Sequence, residues 1–149
     1  MALAKYVHTN LIASDWKKLS EFYINIFGCI PVPPERNLIG PAIDAATGIN
    51  HAHITGMHLR LPGWGENGPT LELFSYSPEM SHLPPAVNRP GYGHIAFQVE
   101  DVETAQNLTL AAGGKMVGDV VKVPVGEKFV TFCYLTDPEG NVIELQSWS

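Results

Sequence analysis

Apolar and polar residues alternate over positions 6–13, and this pattern predicts a short β-strand with two distinct faces. Val7 and Leu11 lie on the face that can pack on a helix. His8 lies on the opposite face, so its imidazole points away from such a helix. The pattern therefore predicts a strand that has one apolar face and carries a histidine on the other.

A helical pattern follows directly. Ser14 and Asp15 provide a helix N-cap, and Gly28 suits the left-handed conformation that ends many helices. Between them apolar residues recur at the spacing of one helix face, which predicts an amphipathic helix. This apolar stripe consists of Trp16, Leu19, Phe22, Tyr23, Ile26 and Phe27.

The same order of signals returns in the second half of the chain. A second strand carries His94 on one face and Ile95, Phe97 and Val99 on the other. Asp101 can cap a second helix, and Gly113-Gly114 would end it. The apolar stripe of this helix consists of Val102, Ala105, Leu108 and Ala112. His8, Asp15 and Gly28 correspond to His94, Asp101 and Gly114 at a constant offset of 86. A repeat of this regularity indicates two equivalent structural units.

The two repeats also close alike, with similar strands at 71–77 and 143–149. The offset there is 72, so the second repeat is 14 residues shorter, and we place the excess in the Pro-rich segment 31–50, as a loop or lid with a short edge strand. We predict an α+β fold with two tandem β-α-β-β-β modules, at about 5–77 and 91–149, in a single domain with a Pro-rich linker at 78–90. The remaining strands are expected in 37–43, 54–61, 70–76, 115–120, 128–135 and 141–147, with a turn at 137–141.

Composition narrows the function classes. With nine Lys and Arg residues and a net charge of −6, the chain is not expected to bind nucleic acid or an anionic membrane surface. No signal peptide and no apolar run long enough to span a membrane is evident. Cys29 and Cys133 are interpreted as buried apolar residues, and the cytoplasm is the expected compartment.

The residues that could bind a metal ion also occur once in each repeat. Glu72 and Glu144 each stand between two apolar residues of a closing strand, so each points to the face opposite the helix. Phe74 shares this face with Glu72. A carboxylate on a semi-apolar face is costly unless it is paired or binds a cation. With His8 and His94 on the corresponding faces, two His and two Glu predict a divalent metal site, for Ni, Co, Zn, Mn or Fe.

Other histidines are weaker candidates. His51 and His53 would share one face of a strand and could contribute to a metal site, but neither has a counterpart in the second repeat. His58 and His82 are interpreted as surface or structural residues.

At these residues the chain resembles the vicinal oxygen chelate superfamily, which includes glyoxalase I (lactoylglutathione lyase), methylmalonyl-CoA epimerase, extradiol dioxygenases and resistance proteins for bleomycin or fosfomycin. The resemblance covers essentially the whole chain and implies curved mixed sheets with a concave metal-binding face. It also implies that His8, Glu72, His94 and Glu144 are the metal ligands. The stretches that carry it are VHTNLIASDWKKLSEFYINIFG at 7–28, LELFSY at 71–76, GYGHIAFQVEDVE at 91–103 and DPEGNVIEL at 137–145.

The resemblance further implies an isomerase, lyase or epimerase that removes a proton next to a carbonyl through a metal-stabilised enediolate or enolate. Glu144 is the favoured base and Glu72 returns or relays the proton, and the exchange of these two roles stays open. The resemblance also implies a homodimer that shares its active sites and one divalent metal per site. The position of an Arg that binds glutathione in glyoxalase I is Ile12 here, so glutathione is not expected in the substrate. Two alternatives stay open: an extradiol-type Fe dioxygenase, and a metal-free binding or resistance protein.

Overall fold

A computed structural model describes residues 3–149, and these form two compact units. The first unit extends to Ser81 and the second begins at His82. This boundary lies inside the Pro-rich segment 78–90.

The first unit is a mixed four-stranded sheet with a long helix. Its sheet has the order β1-β4-β3-β2, in which β1 and β4 are parallel and the other pairs are antiparallel. Strand β4 thus lies between β1 and β3, which puts residues of these three strands side by side. The elements are β1 (His8–Ile12), α1 (Trp16–Phe27), β2 (Ile30–Ile39), α2 (Pro41–Thr47), β3 (His53–Arg60) and β4 (Thr70–Ser77).

The second unit repeats this topology. Its sheet runs β5-β9-β8, with β5 and β9 parallel, and both β6 and β7 pair antiparallel with β8. The predicted α+β fold with two mixed sheets is therefore confirmed. The elements are β5 (Ile95–Gln98), α3 (Val102–Ala111), β6 (Lys115–Met116), β7 (Val121–Val125), β8 (Lys128–Thr136) and β9 (Val142–Trp148).

Helix α1 forms where the sequence pattern predicted it, because the capping residues at its two ends and the apolar stripe between them specify the same segment. The Asp15 carboxylate accepts hydrogen bonds from the backbone N–H groups of Lys17 and Lys18, and Gly28 has a φ of 68°. The helix packs on β3 and β4, where Tyr23 is completely buried. The helix therefore covers one face of the sheet, and the His8 side chain belongs to the other face.

Segment 31–50 is more ordered than the predicted loop or lid. It contains most of β2 and all of α2, a short helix that begins at Pro41. The Asp44 carboxylate of this helix accepts hydrogen bonds from the backbone N–H groups of His51 and Ala52, which fixes the entry into β3. His51 has a φ of 58° and precedes the strand, so the prediction that His51 and His53 share a strand face was wrong.

The placement of the extra residues of the first repeat was only partly right. His58 is the register partner of Glu72, 14 residues earlier, whereas Tyr134 is the partner of Glu144, only 10 residues earlier. Four of the 14 extra residues therefore lie in the connection between β3 and β4, and only ten lie before it.

The second unit differs from its prediction in two places. The strand expected at 115–120 is only the two-residue β6, and the strand β7 at 121–125 was not expected. On α3, Leu108 is exposed and Thr109 is buried, so the apolar stripe was assigned one residue too early there. The turn at 137–141 is confirmed, since the buried Asp137 carboxylate accepts backbone hydrogen bonds from Glu139 and Asn141.

Both cysteines are free and buried, as expected for apolar packing residues. Burial raises the pKa of Cys29 to about 12 and also raises the pKa of Cys133. These thiols therefore stay protonated and unreactive near neutral pH. Within residues 3–149, none of the helices has the length and apolarity that a membrane crossing needs.

Candidate metal centre

The parallel pairing of β1 and β4 brings His8 to Glu72. The residue opposite Glu72 on β1 is Asn10, and His8 lies two positions earlier on the same face. The His8 Nε2 atom is 3.6 Å from Glu72 Oε1. The His8 side chain is 37% exposed and the Glu72 side chain 15%, so the imidazole is accessible while the carboxylate is largely buried.

A second imidazole contacts the same carboxylate. His58 lies directly opposite Glu72 on β3, and its Nε2 donates a hydrogen bond of 2.8 Å to Glu72 Oε2. Its other ring nitrogen, Nδ1, is 2.9 Å from the hydroxyl oxygen of Thr70. Burial lowers the pKa of His58, although the neighbouring Glu72 carboxylate acts in the opposite direction.

This role of His58 was not predicted, because His58 has no histidine counterpart in the second repeat. A usable signal was present in the two strands that had been predicted at 54–61 and 70–76. A hairpin that closes symmetrically about Gly65 pairs position 58 with position 72. Side chains that are directly paired across two strands lie on the same face.

A hydrogen bond from Asn10 also fixes the Glu72 carboxylate. The Asn10 amide nitrogen donates to Glu72 Oε1 at 2.9 Å and to the Glu72 backbone carbonyl oxygen at 3.1 Å. Glu72 therefore has partners on both carboxylate oxygens, from β1 on one side and from β3 on the other. This satisfies a largely buried charge and restricts its rotation.

The second unit brings together the other predicted pair. His94 Nε2 is 2.9 Å from Glu144 Oε2, and the exposed fractions, 37% and 15%, equal those of the first pair. Tyr134 lies opposite Glu144 on β8 and hydrogen-bonds its carboxylate. Burial, and then the Glu144 charge and this hydrogen bond, raise the pKa of the Tyr134 phenol.

The two units thus share one arrangement, with two differences. In each, a histidine before or at the start of the first strand contacts a glutamate of the last strand, and a ring on the intervening antiparallel strand hydrogen-bonds that glutamate. The ring is an imidazole in the first unit and a phenol in the second. The position of Asn10 is taken by Ala96, which has no polar side chain.

The donor atoms fit a divalent metal ion. Ligand atoms of His8, His58 and Glu72 all lie within 4.8 Å of one another. Neutral imidazole and carboxylate are the donors that Zn, Ni, Co, Mn and Fe take in proteins. His94 and Glu144 offer the same two donor types in the second unit.

The remaining candidates do not join these groups in the described part of the chain. His53 Nε2 lies 2.6 Å from Asn37 Oδ1 on the neighbouring strand β2, and His51 lies in the turn before β3. Ile12, opposite Phe74 at the end of β1, is 44% exposed and presents an apolar side chain on the face that carries His8.

Comparison with known proteins gives a family. The family model described as the glyoxalase/bleomycin resistance protein/dioxygenase superfamily matches residues 5–145. A search of curated proteins found no significant match.

Solved structures with the same fold come from several bacteria. A glyoxalase family protein from Bacillus cereus is 20% identical, with a TM-score of 0.84, over 99% of this chain and 96% of that chain. A glyoxalase family protein from Enterococcus faecalis is 19% identical, with a TM-score of 0.60, over 95% and 96%. The fosfomycin resistance protein FosX from Listeria monocytogenes is 17% identical, with a TM-score of 0.57, over 98% and 94%. At these identities the likeness concerns the fold alone.

Proposed function

Since the chain belongs to the glyoxalase/bleomycin resistance protein/dioxygenase superfamily, we propose that it is a metal-dependent isomerase, lyase or epimerase that acts next to a carbonyl group. The members of this superfamily include enzymes of several kinds, so the proposal rests on the side chains of this chain. Its metal ligands are His8, Glu72, His94 and Glu144.

One observation carries the proposal. Each unit places a largely buried glutamate in contact with an accessible histidine on the sheet face that the helix does not cover. Burying a carboxylate costs free energy unless the group is paired or binds a cation. The repetition of so costly a pair in both units supports a role in binding and catalysis.

When bound, a divalent metal ion would supply Lewis-acid polarisation of a substrate carbonyl oxygen. Glu144 takes the proton from the neighbouring carbon atom, and Glu72 returns or relays a proton. The contacts support this division of roles. Glu72 contacts Asn10 and His58 in addition to His8, whereas Glu144 contacts His94 and Tyr134, so fewer of these contacts must break before the Glu144 carboxylate can shift.

We propose a small carbonyl compound as the substrate, with two neighbouring oxygen atoms that can reach one metal ion. The exposed Ile12 side chain offers no charge for a carboxylate, which supports a substrate other than a glutathione adduct. The two buried free thiols agree with a reducing compartment, and we place the protein in the cytoplasm.

The test is the metal content of tag-free protein, measured by plasma mass spectrometry for the wild type and Glu72→Ala. We expect about one Ni, Co, Zn or Mn ion per chain in the wild type, and its loss in Glu72→Ala, because this carboxylate lies between two imidazoles. Glu79→Ala, which alters an exposed carboxylate of the same unit, is the control and should retain the metal.

An extradiol-type Fe(II) oxygenase is the second candidate, and one observation favours it. His8, His58 and Glu72 are two histidines and one carboxylate, the ligand set of many non-haem iron oxygenases. Bound iron together with oxygen uptake on catechols would establish this activity in place of the first. If neither the wild type nor Glu72→Ala holds metal even after incubation with divalent ions, both enzyme proposals fail. The interpretation as a metal-free binding protein then remains.

A further inference from the structure

We propose that His58 is a third metal-binding residue, so that the first unit holds a metal ion with His8, His58 and Glu72 of its own. This inference rests on the proposed metal dependence. It differs from the four-residue set because it assigns most of the metal affinity to one unit and adds a residue that has no histidine counterpart in the second repeat.

The strand order explains why three donors converge. Glu72 lies on the central strand β4, His8 on β1 at one side and His58 on β3 at the other. All three side chains are on the face opposite α1. Two adjacent ligands of an octahedral ion, each about 2.1 Å from it, are about 3 Å apart. The distances of 3.6 Å for His8 and 2.8 Å for His58 to the Glu72 oxygens are close to this separation.

The surroundings of His58 are those of a ligand. Metal-binding histidines commonly hydrogen-bond through the ring nitrogen that is not coordinated, which fixes the orientation of the ring. In His58 the contact of Nδ1 with the Thr70 hydroxyl oxygen does this and directs Nε2 toward Glu72. The ring also packs edge-on against Phe74, and its centroid is 5.3 Å from that of His8.

The second unit provides an internal comparison. There the same register position is occupied by Tyr134, whose phenol is a poorer ligand for Zn, Ni or Co than imidazole. His94 and Glu144 therefore form a two-donor pair, while the first unit has three donors. We expect the first unit to retain a metal ion when the donors of the second are removed.

The test uses the full-length chain with His94→Ala and Glu144→Ala combined, and Cu(II) and Co(II) as the probes. We expect this double variant to bind one ion per chain by calorimetry. Pulsed EPR of the Cu(II) form should detect two coordinated imidazoles. Adding His58→Ala should remove one of them and weaken binding at least about tenfold. His53→Ala, which removes another imidazole from β3, is the matched control and should change neither quantity.

His58→Ala would also weaken metal binding if His58 only hydrogen-bonded Glu72 and held it in position. His58→Gln distinguishes this positioning role from direct metal binding. Gln keeps a donor for the Glu72 carboxylate but lacks the imidazole. The inference predicts that Gln restores neither the affinity nor the second imidazole signal. Restored affinity with an unchanged imidazole count would overturn it, because His58 would then only position Glu72.

The remaining outcomes separate this inference from the proposed function. A wild type that binds one ion beside a double variant that binds none would overturn the inference and leave the four-residue proposal standing. A wild type that binds no divalent ion would overturn both. Circular dichroism of each variant establishes that the protein is folded.

Discussion

Glu72 and Glu144 each keep only 15% of the side chain exposed, and both carboxylates are stabilised by neighbouring donors. Burying an ionised carboxylate costs several kcal/mol unless it is hydrogen-bonded or paired. The number of partners differs between the two. Glu72 has donors from two strands beside its histidine, whereas the place of Asn10 is taken in the second unit by Ala96. The larger number of contacts to Glu72 agrees with the proposed division of roles, in which Glu72 is a fixed ligand and Glu144 the base.

This difference predicts the effect of Glu144→Gln. The amide preserves size and hydrogen bonding, so the protein should remain folded, but it cannot accept the substrate proton. We expect proton exchange at the carbon next to the carbonyl to fall by about 10²–10⁴-fold. The measurement is NMR detection of deuterium uptake from D₂O into substrates found by screening with the wild type.

The control for this variant is Glu103→Gln, on the exposed side of α3, which should exchange at the wild-type rate. Undiminished exchange in Glu144→Gln would show that another residue is the base. The first candidate to test would then be Glu72, through Glu72→Gln.

At the scale of elements, the close packing of β3 on β4 depends on Gly56. This residue is opposite Phe74, and a Cβ atom built on it would lie 2.1 Å from the Leu73 carbonyl oxygen and 2.4 Å from the Phe74 ring. Its strand position needs no special backbone angle, so steric space alone explains the glycine. Phe74 in turn packs against His58, two residues along β3.

Gly56→Ala should therefore destabilise the protein, by about 1–3 kcal/mol, although alanine usually suits a strand better than glycine. Urea unfolding followed by tryptophan fluorescence measures the loss. Gly118→Ala is the matched control, because no atom lies within 4 Å of a Cβ built there, and its stability should be unchanged. Equal stability of both variants would mean that β4 moves aside without cost.

At the scale of the whole molecule, the two His–Glu pairs that form one active site could come from the same chain or from two chains. Each unit contributes one His–Glu pair of its own. In glyoxalase-like proteins the modules pair between chains, and the resemblance to them leads us to propose a homodimer that shares its active sites. His8 and Glu72 of one chain would then serve with His94 and Glu144 of its partner.

Mixing two inactive variants tests this arrangement. Glu72→Ala and Glu144→Gln, refolded together in equal amounts, should recover about one quarter of the wild-type proton exchange, because half of the dimers are mixed and each has one intact site. Sites formed within a single chain would give no recovery. Light scattering is the independent measurement, and a monomer with full activity would contradict the dimer.

Much of the fold followed from local physical chemistry. Alternation and helical spacing placed β1 and α1, and the capping Asp15 and the left-handed Gly28 fixed the helix ends to within a residue. These signals act over a few neighbouring positions, so they can be read along the chain. The structure of segment 31–50 was not predicted, because α2 is only seven residues long and depends on Asp44. The hydrogen-bond partners of Asp44 lie seven and eight residues later in the sequence.

The sequence alone determined that each half of this protein has a histidine and a glutamate on the face away from its helix, because the repeat and the strand period both show it. The sequence allowed several strand registers, one of which is a hairpin that closes about Gly65, and only the tertiary structure decided the register that brings His58 to the first pair and Tyr134 to the second. Neighbours across a sheet depend on register, and register depends on the lengths of the connections. In the first unit, four additional residues between β3 and β4 place the residue opposite the glutamate 14 positions before it, instead of 10 as in the second unit. The period of the strands does not reveal this difference.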